Sequence, residues 1–101
     1  MAGIDERQIQ MRVGGLVIDP NTKSPIVVLR GVHDERLYLP IYVGGSEASA
    51  IAAALSDIEL PRPMTHDLMS NLLCLVGITL QKVTIIDLVD VTFYAELLLS
   101  D

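Results

Sequence analysis

The chain has 101 residues, half of them hydrophobic, and a formal net charge of −6. This length predicts one domain. An acidic chain whose seven basic residues are scattered disfavours unspecific nucleic-acid binding, which normally rests on a basic surface. Half a chain of apolar residues is more than one small core can bury, so we expect a homo-oligomer.

Membrane insertion and export are both disfavoured by the sequence. The densest apolar stretch, "LLCLVGITL", is broken by Gly77 and falls well short of the roughly 18 residues that a membrane span needs. Residues 1–10 lack the basic-then-apolar pattern of an export signal. The single cysteine, Cys74, allows no intramolecular disulfide and no paired-cysteine metal site. We therefore expect a cytoplasmic protein without membrane partners.

The first part of the chain predicts a β-hairpin. Residues 9–19 alternate as a strand, but Gly14 and Gly15 interrupt the alternation and indicate a bulge. Residues 19–25 have the composition of a turn. Residues 26–31 then form a second strand that pairs with the first.

A third strand and a first helix follow. Residues 37–43 alternate cleanly between two faces, and Pro40 within them implies an edge position or the non-bonding side of the strand. The period then changes over residues 44–56, which predict a helix. Gly45 or Ser46 is the expected cap of that helix.

The second helix is predicted from Thr65, as its cap, to about Val76, with Gly77 ending it. At about 100° per residue, its apolar side chains fall on one arc and its polar side chains on another. The polar arc carries the side chains that are able to do chemistry: His66, Asp67, Ser70, Asn71 and Cys74.

A final hairpin is predicted over residues 79–89 and 92–99, with Phe93, Ala95, Leu97 and Leu99 facing inwards. Predicted strands outnumber predicted helices, and there is no repeated strand–helix–strand pattern. We therefore predict an α+β fold with a mainly antiparallel or mixed sheet of about five to six strands and two helices.

The best chemical candidates lie together at the start of the second helix. His66 can act as a base, an acid or a metal ligand near neutral pH. Asp67 is adjacent, and Arg62 can bind a phosphate or a carboxylate with two hydrogen bonds. Consecutive helical residues point about 100° apart, so His66 and Asp67 are not expected to face each other. The structural alternative is that Asp67 complements the helix dipole, His66 binds a loop and Arg62 braces a carboxylate elsewhere.

Two further places carry carboxylates. Asp87 and Asp90 flank the last hairpin, and paired carboxylates can hold Mg²⁺ or Mn²⁺, although acidic residues at a turn are more often turn formers. Glu47 lies in the first turn of the first helix, where negative charge is favoured. An anion or small-metabolite site at residues 45–47 is a third alternative, which the charge of Glu47 opposes.

Four blocks of sequence, taken in order, resemble the bifunctional nuclease (BFN) domain family. They are "LPIYVG" from Leu39, "EA" with "AIA" from Glu47, "RPMTHDL" with "NL" from Arg62, and "TFYA" from Thr92. The resemblance runs from about Met11 to Leu99. It implies a compact, self-associating α+β fold over residues 1–101, in a family whose plant members are associated with cleavage of RNA and DNA.

The chain departs from the family pattern in two places. Family members often have Asp-Gly before "TFYA", whereas this chain has Asp90-Val91, so the turn is expected to be wider or of a type other than I′. The family also continues into a small-residue helix announced by an Arg-Pro-Ser-Asp-Ala-like motif. This chain ends at Ser100-Asp101, so we expect a single BFN-type domain without that C-terminal segment.

The resemblance and the polar cluster of residues 62–71 together suggest metal-assisted hydrolysis of RNA or DNA. In that hypothesis Arg62 steadies a phosphate and His66 is the base or a ligand. A carboxylate for Mg²⁺ or Mn²⁺ comes from Glu47, Asp67 or Asp87. The alternative is a non-catalytic, oligomeric binding or regulatory module.

Overall fold

The computed structural model describes residues 5–101. Its strands and helices are β1 (Met11–Ile18), β2 (Pro25–Gly31), β3 (Tyr38–Tyr42), α1 (Gly45–Leu55), α2 (Thr65–Leu75), β4 (Thr79–Val89) and β5 (Thr92–Ser100). Every strand pair is antiparallel, so the predicted α+β class is confirmed. Within residues 5–101, no helix has the length and apolar character that crossing a membrane requires. The export-signal prediction rests partly on residues 1–4, which lie outside the described residues.

The strands are divided between two sheets, whereas the sequence analysis expected one. The first has the order β1-β2-β3 and the second consists of β4 and β5. Each strand pairs only with its neighbour along the chain, because every connection within a sheet is a short antiparallel turn. The described residues fall into two compact units, one up to residue 61 and one from residue 62.

The predicted bulge in β1 is confirmed. Val13 pairs with Leu29 and Gly15 pairs with Val28, so Gly14 is an extra residue without a partner in the ladder. Side chains alternate between the two faces of a paired strand. Because of the extra residue, the apolar side chains that follow the bulge lie on the same face of the sheet as the apolar side chains that precede it.

The first sheet is centred on Val27 of β2. Val27 is 6% exposed and is the only buried hydrophobic residue among residues 5–101. Leu16 and Ile41 lie directly opposite it on the flanking strands, and α1 contacts β2. Pro40 lies in β3, which pairs on one side only, as the sequence predicts for an edge strand.

The helix ends are set by backbone geometry. The cap of α1 is Gly44, so the predicted cap at Gly45 or Ser46 is wrong by one residue or more. Asp57 after α1 and Gly77 after α2 have φ values of 57° and 76°, in the left-handed region. The isoleucine after each of them donates a hydrogen bond to the carbonyl five residues earlier, at 2.9 and 2.8 Å. The predicted stop at Gly77 is therefore confirmed.

The second hairpin contains two more bulges. Gln81 and Ile86 of β4 have no partner in the ladder to β5. The loop is not widened, because Val89 pairs with Thr92 across two residues. Of those two, only Asp90 has a positive φ, at 57°, whereas a type I′ turn needs positive φ at both positions. Valine can occupy the second position because its φ stays negative.

One face of the second hairpin is entirely apolar, and we call it the apolar hairpin face. Cross-strand partners share a face, so the register assigns to it the pairs Leu88–Phe93, Ile85–Ala95, Val83–Leu97 and Leu80–Leu99. The predicted common face of the four β5 residues is confirmed. Their predicted burial is wrong for three of them: Ala95 is exposed, and Leu97 and Leu99 are 60% and 43% exposed.

The bulge in β1 leads to a stability prediction. A Cβ at Gly14 would lie 2.6 Å from Cγ of Arg30 and 3.1 Å from the carbonyl oxygen of Val28. Gly14→Ala should therefore lower the free energy of unfolding by about 1–3 kcal/mol in urea denaturation. Gly45→Ala is the matched control, since a Cβ there meets nothing within 4 Å. It should be neutral or stabilise α1 by up to about 1 kcal/mol. Equal stability of the two variants would contradict the tight bulge.

A hydrogen bond joins β3 to the turn after β1. The hydroxyl of Tyr42 donates to Oδ2 of Asp19 at 2.7 Å, and the backbone N–H of Asn21 donates to Oδ1 at 2.9 Å. These bonds, the one from Tyr42 first, lower the pKa of the Asp19 carboxyl. The same bond raises the pKa of Tyr42.

This bond predicts a pH dependence. A lowered pKa in the folded state contributes stability above the ordinary aspartate pKa of about 3.9, and that stability is lost as pH falls through the folded value. Tyr42→Phe should raise the pKa of Asp19 and shrink the acid-induced loss of stability. An NMR titration of the Asp19 carboxyl tests the first effect. Tyr38→Phe, on the same strand, should leave the titration of Asp19 unchanged, and an equal shift in both variants would be the contrary result.

Candidate functional site

The start of α2 positions the candidate side chains. Its cap is Met64, and Thr65 is the first helical residue, so the predicted cap at Thr65 is wrong. Oδ2 of Asp67 accepts a hydrogen bond from the backbone N–H of Met64 at 2.8 Å. A carboxylate at the third helical position thereby satisfies the N–H of the cap residue and lies where the helix dipole favours negative charge.

His66 and Asp67 are brought together, although the sequence analysis expected them to point apart. Nε2 of His66 lies 3.3 Å from Oδ1 of Asp67. The reason is the hydrogen bond to Met64, which folds the Asp67 side chain back towards the helix start. The side chains are 51% and 44% exposed, so the pair is accessible to water and to a ligand.

Arg62 precedes the helix in the connector and is exposed. Within the described part of the chain it forms no hydrogen bond, ion pair or ring contact. The structural alternative had Arg62 bracing a carboxylate, and no described carboxylate has that role. Its guanidinium is available for an anion four residues before His66.

Glu47 and Asp87 each have a local structural role. Glu47 lies in the first turn of α1, where its carboxylate is folded against Gly44 so closely that a Cβ there would collide with it. Asp87 lies in β4 and accepts a hydrogen bond from the N–H of Leu88 at 2.8 Å. Among residues 5–101 there is no group of three or more His, Cys, Asp or Glu side chains that could hold a metal ion.

The first sheet carries a cluster that the sequence analysis missed. Arg12, Arg30 and Tyr38 lie opposite one another on the three strands, and we call them the arginine–tyrosine row. The Arg30 guanidinium lies 5.2 Å from the centre of the Tyr38 ring. Glu35 pairs with Arg12 at 3.0 Å, and its backbone carbonyl accepts a bond from Arg30 at 3.3 Å. Only the Arg12 guanidinium is paired with a carboxylate, so the row keeps an excess positive charge beside an aromatic ring.

This row could have been found from the register of the predicted strands rather than from the spacing of basic residues. Arg12 and Arg30 are 18 positions apart, and Tyr38 is 8 positions further along. Only the pairing of β1, β2 and β3 makes them neighbours. The expectation of scattered basic residues therefore holds along the chain but not across the sheet.

A cleft of about 370 Å³ lies at the edge of the same unit. It is lined by Gln8, Ile9, Gln10, His33, Asp34 and Leu37. The Asp34 carboxylate is bound by Arg36 at 3.0 Å, and this bond lowers the pKa of Asp34. His33, predicted to be solvated, lines this cleft and is exposed.

The family model of the bifunctional nuclease domain matches residues 27–101. The chain belongs to that family. The match includes α2 and its polar start, β4, β5, α1 and β3, and the recognised sequence blocks all lie inside it. The BFN domain therefore contains every residue that the sequence analysis proposed for the site.

Two curated relatives are similar to this BFN chain, both described as uncharacterised proteins of Mycobacterium tuberculosis. One is from strain CDC 1551 / Oshkosh and the other from strain ATCC 25618 / H37Rv. Each is 43% identical over 89 residues, which is 88% of this chain and 54% of the relative. The chain thus spans about half the length of the relatives that it matches, and they assign no role to any residue.

The start of α2 gives a prediction that tests the capping role of Asp67 separately from catalysis. Asp67→Ala removes the acceptor for the Met64 N–H and the favourable charge, and should lower the free energy of unfolding by about 1 kcal/mol. Asp67→Asn keeps an acceptor oxygen and should cost less. His66→Gln is the neighbouring control and should change stability little. Urea denaturation of the three variants measures this, and an unchanged Asp67→Ala variant would be evidence against the capping role.

Proposed function

We propose that this BFN domain hydrolyses phosphodiester bonds of RNA or DNA, with His66 at the start of α2 as the general base. The observation that carries the proposal is the 3.3 Å approach of Asp67 to the His66 imidazole in a domain of the nuclease family. A base held by a carboxylate is the arrangement that general acid–base catalysis requires. Arg62 provides an unpaired cation in the same segment.

Asp67 has two roles in this proposal. Its Oδ2 is held by the N–H of Met64, which fixes the carboxylate. Its Oδ1 faces Nε2 of His66 and favours the tautomer with the proton on that nitrogen. Nδ1 is then the unprotonated nitrogen that accepts a proton.

The hydrolytic step balances with these groups and water. Nδ1 of His66 takes a proton from a water molecule, whose oxygen forms a bond to phosphorus. The bond from phosphorus to one ester oxygen of the nucleic acid breaks, that oxygen takes a proton from solvent water, and the imidazolium then returns its proton to solvent. Arg62 binds the non-bridging oxygens, whose negative charge grows as the water adds.

The sequence analysis predicted a requirement for Mg²⁺ or Mn²⁺, which the proposed mechanism does not use. Magnesium sites usually combine one or two carboxylates with water and substrate phosphates. Within the unit that begins at residue 62, His66 and Asp67 are the proposed ligands in proximity, and Asp67 is already engaged by the backbone and the imidazole. These residues do not form a metal-binding set, so no step of the mechanism is routed through a metal ion.

The arginine–tyrosine row supports a nucleic-acid partner. Single-stranded nucleic acids bind to surfaces that combine cations for the phosphates with aromatic rings for the bases. Arg12 and Arg30 supply the cations, and Tyr38 supplies a ring that is 60% exposed. Tyr42, four positions along β3 and on the same face, is also 60% exposed. We propose that this face contacts the substrate.

The test is a nuclease assay on single-stranded RNA and DNA with identically purified variants, in EDTA and in Mg²⁺ or Mn²⁺. His66→Gln should lower kcat by about 10²–10⁴-fold, the usual contribution of a general base. His33→Gln is the matched control, since it changes the only other histidine of the chain and should keep full activity. Tyr38→Leu should raise KM with little change in kcat.

Three outcomes would contradict the proposal. Equal activity of the wild type and His66→Gln would remove the assigned base. Loss of activity in His33→Gln alone would move the site to the cleft lined by His33. Cleavage lost in EDTA and restored by Mg²⁺ or Mn²⁺ would contradict the metal-free route while supporting the predicted metal requirement.

The second candidate is a non-catalytic, oligomeric binding or regulatory module. The observation that favours it is the apolar hairpin face, which has no role in hydrolysis. A folded, oligomeric protein that leaves RNA and DNA intact under every condition of the assay would support this candidate and contradict the first.

A further inference from the structure

Strand β3 presents three flat rings on one face of the first sheet, and we call Tyr38, Pro40 and Tyr42 the ring track. All three residues are exposed, each tyrosine at 60%. Alternate residues of a strand share a face, and at about 3.3 Å per residue the two tyrosines lie about 13 Å apart. Because β3 is an edge strand of its sheet, a ligand can lie along the ring track from the open side.

Positive charge lies beside one end of the ring track. Arg30 is directly opposite Tyr38 in the ladder, and Arg12 is opposite Arg30 on the next strand. The Arg30 guanidinium lies 5.2 Å from the centre of the Tyr38 ring, which is still 60% exposed. Glu35 neutralises Arg12 at 3.0 Å, but both side chains are at the surface, with exposures of 76% and 50%.

The other end of the ring track is negative, and its middle is uncharged. The hydroxyl of Tyr42 donates to Oδ2 of Asp19 at 2.7 Å, which holds that ring in place beside a carboxylate. Opposite Pro40, the ladder holds Val28 and Gly15. A ligand that matches this surface therefore carries negative charge at the Tyr38 end and flat, uncharged groups along the rest.

We propose that the ring track binds unpaired nucleotides, and so selects single-stranded over double-stranded nucleic acid. Phosphate lies on Arg12 and Arg30, and unpaired bases stack along the rings from Tyr38 towards Tyr42. Every base has a π-face that can stack on an aromatic ring, so this mode of binding tolerates any sequence. The inference rests on the proposed function in taking the substrate of hydrolysis as the ligand, but it uses none of the residues assigned to the hydrolytic step.

The geometry excludes a duplex from the same mode of binding. Successive bases of a duplex strand are about 3.4 Å apart, so bases that reach rings about 13 Å apart must leave the stack. A duplex also carries one negative charge per about 1.7 Å, twice the density of one of its strands. A chain with a net charge of −6 and two arginines at this site repels that density more strongly.

The test is fluorescence anisotropy with a labelled DNA strand of about 12 nucleotides, the same strand in a duplex, and an abasic strand of equal length. Every protein carries His66→Gln in addition, so that the strand stays intact. The single strand should bind at least about tenfold more tightly than the duplex, because only unpaired bases can stack. Tyr38→Leu should weaken binding of the single strand by about 5- to 100-fold, the usual contribution of one stacked base.

Two controls separate the ring from its surroundings. Tyr38→Phe keeps a ring and should bind the single strand as tightly as the parent protein does. Tyr94→Leu removes a tyrosine of β5 that is 51% exposed and should also leave binding unchanged. The abasic strand should bind weakly and equally to the parent protein and to Tyr38→Leu, since it offers no base to stack.

Glu35 and Arg30 provide an independent test of the phosphate contact. Arg30→Ala should reduce the slope of log affinity against log salt concentration by about 0.7, the value for one phosphate contact of a single strand. Glu35→Gln releases Arg12 and should tighten binding and steepen the same slope. An unchanged slope in both variants would overturn the assignment of phosphate to these arginines.

Four results would overturn the ring track: no binding of the single strand, equal affinity for the duplex, equal effects of Tyr38→Leu and Tyr94→Leu, or binding of a proline-rich peptide in place of DNA. The assay also keeps this inference apart from the proposed hydrolysis. Selective binding by a protein that cleaves nothing would support the ring track and contradict the hydrolysis. Cleavage by a protein whose Tyr38→Leu variant binds normally would do the reverse.

Discussion

The strict two-residue alternation of side chains along a paired strand is the constraint on which the rest of this structure depends. Neither β1 nor β4 has apolar residues at even spacing throughout. Single extra residues at Gly14, Gln81 and Ile86 absorb the mismatch. Without them, apolar side chains on one part of a strand would lie on the opposite face from those on the next. The core around Val27 and the apolar hairpin face both follow from this correction.

Most elements could be predicted from the sequence because their signals are local. The change of period at residue 44, the stop at Gly77 and the edge position of Pro40 each depend on a few neighbouring residues. Contacts across strands could not be predicted in the same way. The approach of Arg12 to Arg30 and Tyr38 needs the register of three strands. The exposure of Leu97 and Leu99 needs knowledge of what covers the face, which alternation does not supply.

The sequence predicted which residues form the candidate site but not how their side chains are arranged. An ideal helix directs His66 and Asp67 about 100° apart. At a helix start, however, an unpaired backbone N–H competes for a nearby carboxylate. The Met64 N–H donates a hydrogen bond to the Asp67 carboxylate, and this bond turns the Asp67 side chain towards His66. Glu47 and Asp87 were proposed from chemistry alone, and each has a local structural role that the spacing of carboxylates does not reveal.

The bulges also determine where these strands can change in length during evolution. Removing Gly14, Gln81 or Ile86 would leave every observed cross-strand pair intact and convert a bulged ladder into a regular one. Removing a paired residue away from the bulges would instead send the side chains beyond it to the wrong face. Single-residue deletions in β1 and β4 should therefore be tolerated only at the three bulges, so the same set of cross-strand pairs is compatible with more than one chain length.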